Sequence, residues 1–573
     1  MVKIKIDEQP CEVAAGTSIL DATRQQNIHV PTLCYYKGIN EIGACRICVV
    51  ELKGQDQLVT ACNNKVAPGM EIYTNTPAVR QARKENLEMI LSQHRVECTS
   101  CVRSGNCTLQ TLSNATHVRD NPYPKEIDAF KWDMNFPLIR DNSKCIKCMR
   151  CVQVCDHMQT LHVWDVLNPG PHNFIGTREN KPICDLNCSL CGQCITHCPV
   201  GALTARDDID KVQQAIADPN VTTVVQIAPA IRTAYGEAFG LKPEEATVQR
   251  LATILHHMGF DYVFDTSFSA DLTIMEESSE FLKFMKTKKP NDMPLFTSCC
   301  PGWVRFAKSE YPELLGQLST SKSPQQMFGA VTKTWWAKNH DLTPEQVVSV
   351  SIMPCVAKKS EAAMPSMTRT DGTPDVDYVL TTREMNRMMK SEFIEPLNFP
   401  ESQLDDPLGI ATGAGMIFGS TGGVMEAALR TGYYFVNHEK PDADTFKAAR
   451  GEDGLKEVNT ELNGVPVQAL VVSGLGNTRR LIEDLKAGRR HADFVEVMAC
   501  PGGCVGGGGQ PIHDGCEMAG YRAPTLYKLD RQTKLRCSYE NPSIKTVYKD
   551  YLTAPLSPLA EELLHTVHVA SER

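Results

Sequence analysis

The residues with the clearest chemical potential are the 24 cysteines among 573 residues, most of which stand in closely spaced groups. Thiolate sulfur is the usual protein donor for iron–sulfur clusters and a common donor for zinc. Disulfides belong to secreted proteins, and this sequence opens with the alternating stretch MVKIKIDEQPCEV rather than with an apolar signal segment. The cysteine groups therefore predict metal binding in a reducing, cytoplasmic compartment.

The most regular groups are CIKCMRCVQVC and CSLCGQCITHCP, two copies of the spacing CxxCxxCxxxC. This spacing is the signature of bacterial two-cluster ferredoxins, in which the fourth cysteine of each run ligates the cluster of the other run. We expect one 4Fe–4S cluster on Cys145, Cys148, Cys151 and Cys198. We expect a second one on Cys155, Cys188, Cys191 and Cys194.

A third group near the N-terminus consists of Cys34, Cys45, Cys48 and Cys62. A close pair flanked by two distant partners suits a cluster wrapped by a loop on a small sheet, and KIKIDEQPCEV predicts a hairpin of that sheet. The group resembles a plant-type ferredoxin domain with a 2Fe–2S cluster, except that ten residues separate Cys34 from Cys45. A four-cysteine zinc site is the alternative.

A fourth group consists of His94, Cys98, Cys101 and Cys107. Three cysteines need one more donor to close a tetrahedral iron site, and the nearby histidine can supply it. The stretch QARKENLEMILSQH predicts a helix that presents His94 at its end. A lone histidine is otherwise an ordinary surface or core residue. With the histidine as a ligand, the group predicts a third accessory 4Fe–4S cluster.

From about residue 210 the sequence alternates between apolar runs of strand length and helical stretches such as PEEATVQRLATILHHMG. The apolar runs are TTVVQIAPA, FDYVFD, MPLFTS, VVSVSIMP, VQALVVSGL and FVEVMAC. This alternation predicts parallel, doubly wound α/β lobes. In such sheets, sites gather where strands end.

Several of these strands end in cysteines that do not have ferredoxin spacing. They are Cys299 and Cys300 in TSCCPGW, Cys355 in MPCVAKKSE, and Cys500 and Cys504 in EVMACPGGCVGGGGQP. Five thiols converge where a cluster needs four, and adjacent residues of an extended chain point to opposite sides. We therefore expect either Cys299 or Cys300 to stay a free thiol in a site buried between the lobes.

The three stretches TSCCPGW, MPCVAKKSE and EVMACPGGCVGGGGQP resemble the signatures of the iron-only (FeFe) hydrogenases. The order of the N-terminal cluster groups is similar to that of the large monomeric clostridial type. The resemblance implies a catalytic cofactor, the H-cluster, whose four-iron part is held by Cys300, Cys355, Cys500 and Cys504. It also implies that Cys504 bridges to a two-iron unit that carries carbon monoxide, cyanide and a dithiolate amine.

The fold class that we predict is multidomain, α+β and α/β. N-terminal ferredoxin-like iron–sulfur domains precede a two-lobed α/β catalytic domain with the active site between its lobes. The predicted domains are a plant-type 2Fe–2S domain at residues 1–78, a His/Cys3 4Fe–4S domain at 79–125, a two-cluster domain at 126–209 and an H-cluster domain at 210–573.

The resemblance also assigns residues that move protons and bind cyanide. Cys299 matches the proton-donating thiol, and a free thiol titrates near pH ~8.5. A relay would run from the surface through Glu280, Ser319, Glu277 and an ordered water to Cys299, although two glutamates on one helix face are otherwise solvated. Lys358 matches the residue that donates a hydrogen bond to a cyanide, with a solvated lysine as the alternative. The helix of this relay, SADLTIMEESSEFLKFM, is expected to begin at a Ser269 cap.

Six further residues match the walls of the cofactor pocket in that family. They are Met353, Met498, Phe418, Ala228, Pro229 and Ala230. Methionines two positions before a ligand are otherwise ordinary core fillers. Ala230 stands where some members have serine, and the glycine run from Gly506 to Gly509 would let the backbone approach the cluster closely. Four cysteines outside every group, Cys11, Cys184, Cys516 and Cys537, are expected to be small buried residues.

The resemblance implies a reversible hydrogenase that interconverts H2 with two protons and two electrons. Its partners would be ferredoxin or a similar low-potential carrier and the maturation enzymes of the two-iron unit, and it would be a monomer. A net charge of −9 without a basic tail argues against nucleic-acid or anionic-membrane partners, and no run of about 18 apolar residues occurs.

Two other functions remain open at this stage. One is an electron-wire subunit, because the N-terminal groups also resemble the large iron–sulfur subunit of NADH dehydrogenase. The other is a non-catalytic relative that assembles clusters or senses hydrogen. The proton-donating Cys299 favours the enzyme, since a proton donor has little purpose without turnover.

Overall fold

The computed structural model describes residues 1–125, 127, 131–168, 170–289, 292–369, 371–451 and 453–571. The predicted boundary between the second and third domains falls on Glu126, which lies outside the described residues. Among the described residues, no helix combines the length and the apolar character that crossing a bilayer requires.

The N-terminal region forms a five-stranded sheet in the order β2-β1-β5-β3-β4. Its elements are β1 (Val2–Ile6), β2 (Gln9–Val13), α1 (Ile19–Gln25), β3 (Val49–Leu52), β4 (Val59–Thr60) and β5 (Glu71–Tyr73). The predicted hairpin is present, with β1 antiparallel to β2 and Val2 opposite Val13. Alternate residues of β1 are buried, so its apolar face covers the small core that the cysteine loops surround.

The next region carries α2 (Pro77–Ser92) and α3 (Thr108–Ala115). The predicted helix before His94 is α2. It begins at Pro77, four residues before the predicted stretch QARKENLEMILSQH, because Thr76 caps it and Pro77 occupies its first turn. His94 lies two residues beyond its end.

The two-cluster region contains two short antiparallel pairs, β6 with β9 and β7 with β8. Its elements are β6 (Leu138–Arg140), α4 (Arg150–Gln153), β7 (Trp164–Leu167), β8 (Phe174–Thr177), α5 (Gln193–Thr196) and β9 (Leu203–Ala205). Each CxxCxxCxxxC run contains one of the two short helices, α4 and α5, which carries its third cysteine, so the two runs are related by the same local design.

The first catalytic lobe is a fully parallel sheet in the order β11-β10-β13-β14. Its elements are α6 (Ile209–Ala217), β10 (Thr222–Ile227), α7 (Val248–His257), β11 (Tyr262–Asp265), β13 (Val347–Met353), α12 (Ala357–Glu361), β14 (Tyr378–Thr381) and α13 (Thr382–Ser391). Three of its strands are the apolar runs that the sequence predicts. The fourth strand, β14, was not predicted.

The second lobe is the sheet β12-β17-β16-β15. Its strands are β12 (Leu295–Phe296), β15 (Leu455–Leu462), β16 (Val465–Ser473) and β17 (Phe494–Met498). The predicted strands β12, β16 and β17 run parallel, while the missed strand β15 is antiparallel to β16. The sequence of β15, LKEVNTEL, is polar because the strand lies at an exposed edge.

The remaining helices cover and connect the lobes. They are α8 (Thr266–Thr287), α9 (Pro301–Glu310), α10 (Pro324–Val331), α11 (Ala337–Asn339), α14 (Gly413–Ile417), α15 (Gly423–Asn437), α16 (Leu475–Lys486), α17 (Ala519–Gln532), α18 (Pro542–Val547) and α19 (Pro558–Leu564). The long helix α8 packs against α10, α14 and α15. The predicted Ser269 cap is wrong, because the Asp265 side chain accepts from the Ser267 amide and starts α8 three residues earlier.

Candidate active site

The carboxyl ends of parallel strands from both lobes open onto one buried cavity. Ala228 follows β10 and Cys355 follows β13 in the first lobe, while Cys299 follows β12 and Cys500 follows β17 in the second. The cavity encloses about 740 Å³ of space that protein atoms do not fill. A site between the lobes, at strand ends, is where the doubly wound topology places it.

All the predicted cofactor-contacting residues line this cavity. They are Cys299, Cys300, Cys355, Cys500, Cys504, Lys358, Met353, Met498, Phe418, Ala228, Pro229 and Ala230. Sequence reasoning missed several further lining residues, namely Thr266, Ala270, Pro301, Pro324, Gln325, Pro354, Gly419, Ala499 and Gly503, whereas Gly507 belongs to the predicted glycine run. Pro354 and Ala499 are adjacent to cysteines and could have been inferred, whereas Gln325 has no sequence signal because the packing of α10 brings it there.

Four cysteines of the cavity are soft donors that suit an iron–sulfur cluster. Cys300 caps α9, and the Ala499 amide donates to its Sγ at 3.4 Å. Burial raises the pKa of the thiols of Cys300, Cys355, Cys500 and Cys504 above the ordinary value. Such buried thiolates become favourable when they coordinate a cation. The donor set and the apolar space beside it therefore fit the H-cluster.

Cys299 is a buried thiol that faces a carboxyl group. Burial and the charge of Glu277 raise the pKa of Cys299 well above its ordinary value. The sequence-based expectation of titration near pH ~8.5 was wrong because it assumed a solvated thiol. The Cys299 side chain is therefore protonated at neutral pH.

Lys358 is buried, so the solvated-lysine alternative is excluded. Its Nζ donates to Glu361 Oε2 at 2.8 Å and to the carbonyl oxygen of Cys299 at 3.3 Å. Burial lowers the pKa of this ammonium, but the charge and hydrogen bond of Glu361, together with the charges of Cys355 and Cys299, outweigh burial and leave the pKa above the ordinary value. Glu361 also accepts from Ser323 Oγ at 2.9 Å and from Gln325 Nε2 at 3.2 Å. The ammonium is therefore held in place as a cation at the cavity wall.

The glycine run packs against backbone instead of forming an open loop. A Cβ atom on Gly507 would lie 2.2 Å from the carbonyl oxygen of Pro354, and one on Gly508 would lie 2.5 Å from that of Cys191. The Gly509 amide donates to the Pro354 carbonyl at 2.7 Å. The glycines thus allow three backbone segments, each next to a cysteine, to meet closely.

Two glutamates of α8 lie behind Cys299. Glu277 is fully buried, and neither of its carboxylate oxygens has a hydrogen-bond partner among the described residues. Burial and the charge of Glu280 raise the pKa of Glu277 to about 8. Glu280 is half-buried and accepts from Ser319 Oγ at 2.6 Å. Glu277 is therefore not the solvated surface residue that the sequence alone also allows.

The N-terminal cysteine groups assemble as their spacing predicts. Cys198 shares a cavity with Cys145, Cys148 and Cys151, and Arg140 Nη2 donates to Cys145 Sγ at 3.3 Å. Cys155 lies within electrostatic range of Cys188, Cys191 and Cys194. In the first domain, the amides of Cys34 and Cys45 donate to each other's sulfur at 3.4 and 3.5 Å, and Cys48 contacts Cys62.

His94 is buried at the end of the His/Cys3 region. Its Nδ1 lies 3.0 Å from the carbonyl oxygen of Lys144, and burial lowers the pKa of the imidazole. A neutral ring that donates from Nδ1 leaves Nε2 as the lone-pair nitrogen, which is the usual arrangement of a metal-bound histidine. Cys107 Sγ lies 3.9 Å from the Pro199 carbonyl, so this group adjoins the second CxxCxxCxxxC run.

The cluster sites adjoin one another, and one of them adjoins the cavity. The Asn40 side chain, beside the first group, donates to the Cys148 carbonyl at 2.9 Å. Cys500 Sγ lies 3.7 Å from the carbonyl oxygen of Cys191. The cluster site of Cys155, Cys188, Cys191 and Cys194 therefore lies directly at the wall of the cavity.

The four cysteines outside the groups do not share one environment. Cys537 is buried as expected, and Cys11 is half-buried. Cys184 and Cys516 are exposed, so the expectation of burial is wrong for them. Both stand in polar loops, next to aspartate and glutamate respectively, where no core is available.

Five family descriptions match successive parts of the chain. The 2Fe–2S iron–sulfur cluster binding domain matches residues 1–77, the NADH-ubiquinone oxidoreductase-G iron–sulfur binding region 83–122, and the NADH-quinone oxidoreductase subunit 3, ferredoxin-like domain 137–204. The C-terminal domain of the iron only hydrogenase large subunit matches residues 221–508. The iron hydrogenase small subunit matches residues 517–571, a module that sequence reasoning did not separate.

Similar proteins agree with these matches. The NADP-reducing hydrogenase subunit HndD of Solidesulfovibrio fructosivorans is 43% identical over the whole of both chains. Iron hydrogenase 1 of Clostridium pasteurianum is 38% identical over 96% of each chain. A single-residue variant of the apo [FeFe]-hydrogenase HydA1 from Chlamydomonas reinhardtii superposes with a TM-score of 0.58 and 39% identity over 64% of this chain and 99% of its own. Together with the cavity that the five cysteines line, these matches show that the chain belongs to the iron-only, or FeFe, hydrogenase family.

Proposed function

We propose that the chain interconverts H2 with two protons and two electrons, reversibly, at an H-cluster in the cavity between the lobes. One observation carries the proposal. Five cysteines and the ammonium of Lys358 line a single buried cavity that adjoins a series of cluster sites on one side and a buried carboxyl group on the other.

The cavity residues divide into ligands and walls. Cys300, Cys355, Cys500 and Cys504 would hold the four-iron part, with Cys504 as the bridge to the two-iron unit. When bound, that unit supplies the open iron at which hydrogen is formed or split. Lys358, fixed by Glu361, would donate to an anionic cyanide. Met353, Met498, Phe418, Ala228, Pro229 and Ala230 would exclude water, and Ala230 adds no hydroxyl donor there.

The same geometry would give protons and electrons separate routes to the cavity. Protons would pass between Glu280 and Cys299 by way of Ser319, Glu277 and a bridging water, because these groups are titratable or hydroxylic and lie in that order. Electrons would travel through one 2Fe–2S and three accessory 4Fe–4S clusters, held by the ligands that the cysteine spacing predicts. Because the site of Cys191 lies next to Cys500, it would exchange electrons with the H-cluster.

The external electron carrier in this proposal is ferredoxin or a similar low-potential protein, in the cytoplasm, with dedicated enzymes that supply the two-iron unit. A second candidate follows from the relative that is named an NADP-reducing hydrogenase subunit. In that case the chain would pass electrons to partner subunits. The stretch GLGNTRR lacks the third glycine and the acidic residue of a dinucleotide fingerprint, so the nicotinamide site would then lie on another subunit.

Anaerobic protein, expressed with and without maturation enzymes, tests the proposal. We expect infrared bands of metal-bound carbon monoxide and cyanide, about 20 irons per chain and H2 evolution from reduced methyl viologen only with maturation, and about 18 irons without it. A mature preparation without those bands would remove the hydrogenase assignment. Assays with reduced ferredoxin and with NADPH distinguish the two electron carriers. Cys537→Ser, outside every ligand group, serves as the matched cysteine control.

A further inference from the structure

The C-terminal segment of the chain is held beside Glu280, the outer residue of the proposed proton relay. The Lys322 amide donates to the Leu564 carbonyl and the Thr566 amide to the Thr320 carbonyl, both at 2.7 Å. These bonds make an antiparallel bridge between Ser321 and His565. Because the bridge fixes the register, the imidazole of His565 is held next to the Thr320 side chain.

A continuous hydrogen-bonded path joins this imidazole to Glu280. His565 Nδ1 lies 2.7 Å from Thr320 Oγ1, and Thr320 Oγ1 lies 3.0 Å from Glu280 Oε1. The Thr320 amide also donates to Glu280 Oε1 at 2.9 Å, which holds the carboxylate in place. Thr320 is exposed, and the His565 side chain is 7% exposed, so the path begins where solvent has access.

The other ring nitrogen of His565 is anchored by a second, fully buried glutamate of α8. His565 Nε2 lies 3.1 Å from Glu276 Oε2. Glu276 also accepts from the Leu556 amide at 2.8 Å and from the Tyr548 hydroxyl. The contacts from Tyr548 and Leu556 fix the Glu276 carboxylate, which in turn fixes the orientation of the His565 ring.

The protonation state of His565 sets the direction of the path. When both ring nitrogens carry protons, Nε2–H donates to Glu276 and Nδ1–H to Thr320, whose hydroxyl proton is then free to point at Glu280. When the ring is neutral and keeps its bond to Glu276, Nδ1 becomes an acceptor for the Thr320 hydroxyl. Only the imidazolium state therefore lets every hydrogen-bond donor of the path point toward Glu280.

We propose that His565 collects protons from solvent and delivers them through the Thr320 hydroxyl to Glu280, a step that rests on the proposed hydrogenase function. The Nδ1–H bond breaks as Thr320 gains that proton, while the hydroxyl proton of Thr320 passes to the Glu280 carboxylate. The neutral imidazole then takes a new proton from bulk solvent, and H2 oxidation runs the path in reverse.

Hydrogen evolution from reduced methyl viologen by the mature enzyme tests this step. We expect His565→Gln to lower the rate about tenfold, because Gln fills the site but cannot carry a proton. Thr320→Val should lower the rate similarly, whereas Thr320→Ser, which keeps the hydroxyl, should retain it. The carbon monoxide and cyanide infrared bands should stay unchanged in all three variants, which shows that the cofactor and the fold are intact.

Chemical rescue separates proton transfer from a structural role. Added imidazole should restore H2 evolution in His565→Ala, and it should not restore Glu280→Gln, whose defect lies further inside. His568→Gln is the control at a neighbouring histidine, since His568 Nε2 contacts a backbone carbonyl, that of Ser319, at 2.9 Å. Its rate should be near that of the wild type.

The outcomes are distinct from those of the hydrogenase test. If the wild type evolves H2 and His565→Gln does so at an unchanged rate, the His565 step is wrong while the hydrogenase function stands. Equal losses in His565→Gln and His568→Gln, or His565→Ala with intact infrared bands that imidazole does not rescue, would also overturn it. A mature wild type without H2 turnover would instead contradict the function.

Discussion

The two sides of the catalytic cavity are built from different kinds of group. On the side proposed to carry electrons, Cys500 meets the Cys191 carbonyl, and glycines bring the backbones into close contact. On the proton side, Cys299, Glu277 and Glu280 are titratable, and burial shifts the pKa of the first two. The difference follows from the particles: electrons tunnel through packed atoms and need only closeness, whereas protons need an ordered series of donors and acceptors.

The largest expected effect comes from removing the innermost proton donor. Cys299→Ala should lower H2 evolution and uptake by about 10³-fold, because it removes a proton carrier without removing a proposed ligand. Infrared spectra should show the same carbon monoxide and cyanide bands as the wild type. Near-normal turnover with intact bands would mean that protons reach the cofactor by another route.

The next effect in size comes from Glu277→Gln, which should lower the rate about 10²-fold. The pKa of about 8 also gives the wild type a pH dependence that the variant lacks. Below this pKa the buried carboxyl is neutral and can carry a proton. As the pH rises through about 8 it ionises, so wild-type H2 evolution should fall while the low rate of the variant stays flat.

The same shift affects stability with a defined sign. A carboxyl whose pKa is raised in the folded state contributes stability that is lost as the pH rises from its unfolded value of about 4.3 toward the folded value. Glu277→Gln should therefore show less loss of unfolding free energy over that range, measured by denaturant titration. Identical pH profiles of stability and rate in the two proteins would contradict a buried, neutral Glu277.

A smaller effect is expected when the electron side is disturbed. Gly508→Ala places a Cβ 2.5 Å from the Cys191 carbonyl oxygen, so the contact must open at a cost of about 1–3 kcal/mol. Stopped-flow spectroscopy should show slower electron transfer between the accessory clusters and the H-cluster, with unchanged cofactor bands. Gly316→Ala, at an exposed glycine without a positive φ and with nothing within 4 Å, controls for glycine substitution in general. Equal electron-transfer rates in the two variants would show that closeness at Gly508 is unimportant.

The smallest effect is expected at the far end of the electron side. His94→Cys replaces a neutral imidazole by an anionic thiolate, which favours the oxidised cluster and lowers its midpoint potential. H2 evolution from an artificial donor should fall only a few-fold, because other clusters still accept electrons. Electron paramagnetic resonance titration measures the shift, and an unchanged signal would show that His94 is not a ligand.

Local patterns were sufficient for much of this molecule. The strands β10, β11, β12, β13, β16 and β17 and the helix before His94 were predicted because apolar residues recur with the right period. The runs CIKCMRCVQVC and CSLCGQCITHCP predicted that Cys198 joins the first run, and the shared cavity agrees. The start of α8 was predicted wrongly, because Ser269 and Asp265 are both good caps and only the fold selects between them.

The sequence by itself determined the residue types and spacings: which cysteines group, which strands are buried, and which family the chain belongs to. Only the tertiary structure decided the environments on which the chemistry depends. Burial turned Cys299 and Glu277 into groups with raised pKa values and made Lys358 an interior cation. The C-terminal segment brought His565 to Thr320 across 245 residues. The spacing of residues along the chain does not reveal such contacts, because desolvation and long-range hydrogen bonds arise only when distant segments pack.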